Sequence, residues 1–124
     1  MISLLLVEHP PLVRRALAAR LALELDLLVL AEVSHQSEAV RRAHSLHPDV
    51  VLLDAEMPNL DVRTTVRRLH ARCPSTRIVL LSLDASGVVE ALDEDVPIIV
   101  GKHQGIEALL DAIRAAATHS HQAE

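Results

Sequence analysis

The 124-residue chain contains no phenylalanine, tyrosine or tryptophan, only three glycines, and Cys73 as its single cysteine. Without aromatic rings it cannot stack on a flavin, and it has no glycine-rich phosphate loop and no G-x-S-x-G elbow. A cofactor-binding or hydrolytic enzyme is therefore disfavoured. A lone cysteine excludes an intrachain disulfide and favours a reducing, cytoplasmic location. No apolar run approaches the ~18 residues of a membrane-spanning helix, so no membrane association is expected.

Charge and length narrow the possibilities further. Twelve basic residues stand against 17 acidic ones, and a net charge of −5 argues against a domain that binds nucleic acid with its whole surface. The length fits one domain over residues 1–124, with residues 119–124 expected to be a frayed tail. Because 50% of the residues are hydrophobic, an aliphatic core can form without a disulfide or a metal.

Short apolar runs alternate along the chain with stretches at helical spacing. The runs are continuous rather than alternating, which is typical of strands covered on both faces in a parallel sheet. Strict alternation of strands and helices predicts an α/β domain with a doubly wound, five-stranded parallel sheet. The predicted strands are Ser3–Val7, Leu28–Val33, Val50–Leu53, Arg77–Leu81 and Ile98–Val100.

Five helices are predicted between and after these strands. The first begins at Pro11, which suits a first helical turn, and the third has Asp61 as its N-cap. The apolar face of the first helix is predicted to consist of Leu12, Val13, Ala16, Leu17 and Leu21. The helices are expected at Pro11–Leu21, Glu38–Leu46, Asp61–Arg72, Val88–Leu92 and Ile106–Ala117.

Polar residues stand where the predicted strands end. Glu8 and His9 follow the first strand, Asp54 the third, Ser82 the fourth, and Lys102, the only lysine, the fifth. In parallel α/β sheets, sites lie beyond the carboxyl ends of the strands. Clustered carboxylates suit a hard cation such as Mg²⁺, and a hydroxyl with a lone ammonium suits a phosphoryl group. A carboxylate can itself act as the nucleophile and form an acyl phosphate.

These features resemble a response-regulator receiver domain over essentially the whole chain. The strongest element is the Asp-x-x-Met-Pro segment formed by Asp54, Met57 and Pro58. The resemblance is greatest to receivers of helix-turn-helix regulators of the LuxR/NarL type. It implies a flavodoxin-like (βα)5 fold with strand order 2-1-3-4-5. The matching segments are LLLVEHPPLVRRAL, HPDVVLLDAEMPNLD, TRIVLLS and VGK.

The resemblance also implies a role for each residue at the strand ends. Asp54 would accept a phosphoryl group from a sensor histidine kinase and relay it to an output such as transcription regulation. Glu8 corresponds to the first acid of the pair that helps hold Mg²⁺, and Glu56 would offer its backbone carbonyl to the same ion. Ser82 would hydrogen-bond the phosphoryl group, and Lys102 would pair with it from the other side. Such a domain is not an enzyme beyond assisting its own phosphorylation and dephosphorylation.

His9 departs from the family pattern, because it replaces the second acid, which is a direct metal ligand. Imidazole is a poor partner for Mg²⁺, so His9 is the poorest of the predicted ligands, Mg²⁺ binding should be weak, and Mn²⁺ should be better tolerated. Two functions stay open at this stage: a phosphoacceptor switch, and a phosphorylation-independent pseudo-receiver acting as a protein–protein interaction module. A homodimer is left open, and contact with DNA is expected only through an output domain that this chain does not contain.

Overall fold

The structure, a computed structural model, describes residues 1–84 and 98–122. Within these residues five strands form one parallel sheet in the order β2-β1-β3-β4-β5, which confirms the predicted sheet and its strand order. The predicted helix at Val88–Leu92 lies outside the described residues. The strands are β1 (Ile2–Val7), β2 (Leu27–Val33), β3 (Val50–Asp54), β4 (Arg77–Ser82) and β5 (Ile98–Gly101). The helices are α1 (Pro11–Leu21), α2 (Gln36–Leu46), α3 (Val62–Arg72) and α4 (Ile106–Gln122).

The central strand β3 is buried along its whole length and separates two aliphatic cores. Side chains of successive strand residues point to opposite faces, so β1 and β3 supply both cores in alternation. This arrangement explains why their apolar runs are continuous. Leu4, Leu6 and Leu52 pack on the face covered by α1 and α4, and Leu5, Val7 and Leu53 pack on the face covered by α2 and α3.

Helix α1 has the predicted bounds, but the predicted apolar face is wrong in its first half. Leu12 is 83% exposed and Val13 is 51% exposed, whereas the buried residues of α1 are Ala18 and Leu21. The first two turns of α1 do not close on α4, because a cavity of about 860 Å³ lies between the two helices and reaches the carboxyl ends of the strands. Leu17 lines that cavity instead of joining the fully buried core.

The ends of the helices follow local hydrogen bonds. Asp61 is the N-cap of α3 as predicted, since its carboxylate accepts a hydrogen bond of 3.2 Å from the Thr64 N–H. Helix α4 runs to Gln122, five residues past the predicted end at Ala117, because no glycine or proline interrupts it; the Thr118 hydroxyl bonds back to the Arg114 carbonyl at 2.9 Å. None of the described helices is both long and apolar enough to cross a membrane.

Candidate functional site

The site is built by the register of the parallel strands. Val7 pairs with Leu53 across β1 and β3, Asp54 pairs with Leu81, and Ser82 pairs with Gly101. The residues that end or follow these strands therefore lie side by side at the carboxyl edge of the sheet. Glu8, Asp54, Glu56 and Lys102 all line the cavity between α1 and α4 at that edge.

Asp54 is the buried acid at the centre of this edge, with 3% of its surface exposed. Its Oδ1 lies 2.6 Å from the Nζ of Lys102 and accepts a hydrogen bond of 3.0 Å from the Glu56 N–H. Burial acts to raise the pKa of Asp54, but hydrogen bonds with Glu8 and Lys102 outweigh it and hold this pKa below its usual value. Asp54 is therefore a carboxylate at neutral pH, the form that can act as a nucleophile.

Glu8 is the second buried acid, 4% exposed, and it hydrogen-bonds the carboxylate of Asp54. Burial, that hydrogen bond and the negative charge of Asp54 together raise the pKa of Glu8 to about 8. Near neutral pH the two carboxyl groups thus hold one proton, which resides on Glu8. Burying a pair of acids in this way is unfavourable unless a cation or a proton neutralises it.

Lys102 is the ammonium of the site and bridges two carboxylates. Its Nζ lies 2.6 Å from Asp54 Oδ1 and 2.8 Å from Glu56 Oε1. Burial acts to lower the pKa of Lys102, but the contacts with Asp54 and Glu56 raise it above its usual value. The backbone N–H of Lys102 donates to the Ser82 carbonyl at 2.9 Å, which fixes the lysine at the end of β5.

The side chain of Glu56 is the feature that the sequence did not reveal, since only its backbone carbonyl was assigned a role. Its Oε2 accepts a hydrogen bond of 2.8 Å from the Ser82 hydroxyl, and its Oε1 accepts one of 3.0 Å from the Leu83 N–H. The Ser82 hydroxyl also accepts a hydrogen bond of 3.1 Å from the Asp84 N–H. The only sequence signal for this was a glutamate placed two residues after Asp54, within reach of the neighbouring strand ends.

His9 is exposed and lines the same cavity as Glu8, Asp54 and Lys102. Its ring is tilted by 54° against the ring of His35, with centroids 6.0 Å apart, and its backbone carbonyl accepts a hydrogen bond of 3.3 Å from Arg14. The structure thus brings together Glu8, Asp54, Ser82 and Lys102 as predicted and adds the Glu56 side chain. It places the imidazole of His9 at the cavity lining, with its ring near that of His35, the N-cap of α2.

Most of the chain matches one known protein family. The model of the response regulator receiver domain matches residues 4–114. The chain belongs to this family. Receiver domains are the input modules of two-component response regulators; they interact with sensor histidine kinases and often dimerise.

Three relatives show what this receiver domain is similar to. The nitrate/nitrite response regulator protein NarL of Escherichia coli is 31% identical over 93% of this chain and 54% of its own length. A protein-glutamate methylesterase/protein-glutamine glutaminase of Methanosarcina acetivorans is 35% identical over 72% of this chain and 26% of its own. The response regulator domain of Thermotoga maritima CheB has a TM-score of 0.82 at 28% identity, covering 95% of this chain and 97% of that one. The chain thus spans a quarter to about half of the curated relatives.

Receiver domains generally bind Mg²⁺ in their acidic pocket, and the donor atoms here fit that ion in kind. Glu8 and Asp54 supply carboxylate oxygens, and a divalent cation would replace the proton that the pair now shares. Within residues 1–84 and 98–122, no group of three or more His, Cys, Asp or Glu side chains is arranged to hold a metal. The third protein donor would have to be a backbone oxygen, as expected for Glu56.

Proposed function

We propose that this receiver domain accepts a phosphoryl group on Asp54 from a sensor histidine kinase and passes the signal to an output domain. The observation that supports the proposal best is Asp54 itself: a buried, ionised carboxylate at the end of the central strand, 2.6 Å from Lys102. In the transfer, an Asp54 oxygen would form a bond to phosphorus as the bond from phosphorus to the kinase histidine breaks. The released imidazole then takes up a proton from solvent.

The neighbouring groups suit the charge that this reaction moves. The Lys102 ammonium contacts Asp54, and it meets the Ser82 hydroxyl and the Leu83 N–H at the neighbouring Glu56 carboxylate. These three donors would bind the equatorial oxygens of a phosphoryl group on Asp54. Preorganised donors of this kind stabilise the transferred group without reorganisation of solvent. Mg²⁺, held by Glu8, Asp54 and the Glu56 carbonyl, would neutralise phosphoryl charge when bound. Glu8 would then act as a carboxylate, having released its proton.

The output is proposed from the relatives. NarL of Escherichia coli is described as a response regulator, and this chain aligns with 54% of it. We propose that this receiver domain likewise works with an output domain in the cytoplasm, and that any contact with DNA occurs through that domain. The kinase would recognise the carboxyl edge of the sheet, because Asp54 lines the cavity that opens there.

The experiment is phosphorylation of the chain with acetyl phosphate, in parallel with Mg²⁺ and Mn²⁺, read by intact-protein mass spectrometry. Wild type should gain about 80 Da, the mass of one phosphoryl group. Asp54→Asn should gain nothing, and Asp111→Asn, which changes an exposed acid on α4, should behave as wild type. A mass gain that persists in Asp54→Asn would move the phosphoacceptor elsewhere.

A second function, the phosphorylation-independent interaction module, is favoured by one observation. Where the family has a second acid, this chain has His9, whose ring lies at the surface against His35. With Glu8 protonated as well, the pocket attracts a cation less than three ionised acids would. If folded wild type gains no mass with either metal ion, this second function replaces the first.

A further inference from the structure

The carboxylate of Glu56 occupies three hydrogen-bond donors at once. Its two oxygens take the Ser82 hydroxyl at 2.8 Å, the Leu83 N–H at 3.0 Å and the Lys102 Nζ at 2.8 Å. These donors come from two strand ends and the segment that follows β4. An ordinary surface ion pair would need only the lysine, so the hydroxyl and the backbone N–H require a different explanation.

The same three donors are those that a phosphoryl group on Asp54 would need. A carboxylate and a phosphoryl group are both oxyanions, and both accept charge-assisted hydrogen bonds from ammonium, hydroxyl and backbone N–H groups. We propose that the Glu56 side chain is an internal substitute for the phosphoryl group, which fills its binding donors in the unphosphorylated chain and must leave before those donors can hold phosphate. This inference rests on the function proposed above for Asp54.

The position of Glu56 allows its carboxylate either to occupy the three donors or to leave them for solvent. Its backbone follows Asp54 by two residues, and its N–H donates to Asp54 Oδ1 at 3.0 Å, so the main chain is held in place. Its side chain is 34% exposed, whereas Ser82 is fully buried. Rotation about the side-chain bonds would carry the carboxylate into water without disturbing β3 or β4. Water can solvate the displaced carboxylate, and the phosphoryl oxygens would take over its three donors.

Two consequences follow for the unphosphorylated domain. The Glu56 carboxylate places a negative charge where an anionic phosphoryl donor must approach, which slows phosphorylation. It also holds Ser82 and Leu83 in the positions that phosphoryl oxygens would otherwise impose, so the start of the segment after β4 is ordered before any phosphate arrives. Glu56 is therefore a positioning residue that lowers the rate at which Asp54 is phosphorylated.

The first test compares the initial rates of labelling by acetyl phosphate, with Mn²⁺, of wild type, Glu56→Gln and Glu56→Ala. Loss of the competing carboxylate should raise the rate at least about tenfold in Glu56→Ala, as expected from removing one charge-assisted competitor. Glu56→Gln keeps the size but removes the charge, so its rate should lie between the two. Glu38→Gln is the matched control, since it breaks a glutamate–arginine contact of 3.9 Å on α2 away from the site.

The second test needs no phosphate. It compares the Leu83 amide signal of wild type and Glu56→Ala in ¹H–¹⁵N spectra. In Glu56→Ala this proton should shift upfield and exchange faster with solvent, and beryllofluoride with an excess of Mg²⁺, which unlike Mn²⁺ is diamagnetic and does not broaden the signal, should restore its wild-type position. Equal labelling rates together with an unchanged Leu83 amide would overturn the inference and leave the phosphoacceptor role of Asp54 intact. If neither wild type nor the variants are labelled with either metal, the proposed function fails first and the inference fails with it.

Discussion

At the amino edge of the sheet Ser3 and Asp49 exchange hydrogen bonds of 2.8, 2.9 and 3.1 Å. At the carboxyl edge, in contrast, Asp54 and Glu56 share the ammonium of Lys102, and Glu8 is crowded against Asp54. The polar groups of Ser3 and Asp49 have partners of matching kind. The buried Thr76 hydroxyl donates to the Pro48 carbonyl at 2.8 Å in the same way. Among the described residues, the Nε of Arg77 at the start of β4 is the exception, because it is buried without a hydrogen-bond partner. The same sheet therefore ends in a largely matched set of polar groups on one side and an over-acidic set on the other.

The difference separates polar contacts that stabilise the fold from those that form the functional site. Buried polar groups stabilise a protein when their hydrogen bonds are complete, and they cost free energy when like charges are crowded together. The raised pKa of Glu8 is the mark of that cost at the carboxyl edge. Natural proteins retain such unfavourable arrangements at functional sites, where chemistry requires them.

The largest expected effect comes from exchanging one acid at each edge for alanine. Asp49→Ala removes the acceptor of both the Ser3 N–H and the Ser3 hydroxyl, so it should lower the free energy of unfolding by about 2 kcal/mol. Asp54→Ala relieves the crowding with Glu8 while Lys102 keeps Glu56, so its loss should be less than half as large. Urea unfolding followed by far-ultraviolet circular dichroism measures both, since the chain has no aromatic fluorophore. Equal losses would erase the contrast between the edges.

The pH dependence of the free energy of unfolding tests the crowding of acids at one residue, Glu8. Glu8 has a pKa of about 8 in the folded chain against an ordinary value of 4.5, so the folded state holds its proton more tightly than the unfolded state. Its contribution to stability is complete below pH 4.5 and is lost as the pH rises through 8. In EDTA, wild type should lose stability relative to Glu8→Gln across this window at a slope approaching about 1.4 kcal/mol per pH unit.

The comparison with Glu8→Gln cancels the titration of every other group that both chains share. Adding Mn²⁺ should flatten the wild-type slope, because a bound cation replaces the proton between Glu8 and Asp54. A difference between the two chains that stays constant from pH 5 to 8 would mean that Glu8 is already ionised in the folded chain, and the picture of a crowded carboxyl edge would then be wrong.

The matched and the crowded edges also differ in how far the sequence predicted them. Strand positions and the meeting of Glu8, Asp54, Ser82 and Lys102 follow from apolar runs and from the rule that parallel strands end at a common edge. The strand order followed from the resemblance to receiver domains. These are properties of the backbone. The Ser3–Asp49 pairing joins residues 46 positions apart. No local sequence pattern accompanies it, so it could not be predicted from the sequence.

Which of several possible partners a side chain contacts could not be predicted from the sequence. Glu56 can reach water, Lys102 or Ser82, and only the packed arrangement of the strand ends selects the latter two. For α1, helical spacing identified apolar residues but not how far the helix stands from α4, so Leu12 and Val13 were assigned to a face that the structure leaves exposed. Periodicity describes one element alone, whereas burial depends on the distance to its neighbours.

The smallest expected effect is at Arg114, which ties α4 to the loop before β2 at the amino edge. Its guanidinium lies 2.9 Å from Glu24 and 2.8 Å from Asp26. Hydrogen bonds with Arg20 and then Arg114 hold the pKa of Glu24 below its usual value, and the hydrogen bond with Arg114 does the same for Asp26. The stability they contribute is present above those usual values and is lost as the pH falls, opposite in sign to the effect at Glu8. Arg114→Met should therefore lower Tm slightly at pH 7 and low salt.

Because Arg114 is 38% exposed, salt screens its ion pairs. The Tm difference between wild type and Arg114→Met should shrink as sodium chloride is raised. It should also shrink as the pH falls below the ordinary pKa values of 4.5 for Glu24 and 3.8 for Asp26, because the two acids then take up protons. Arg68→Met, at an exposed position on α3, is the matched control for loss of one positive charge. If Arg114→Met proved as costly as Asp49→Ala, the amino edge would depend on its surface ion pairs as much as on the enclosed Ser3–Asp49 bonds. The contrast between the edges would then be one of charge balance alone, not of burial.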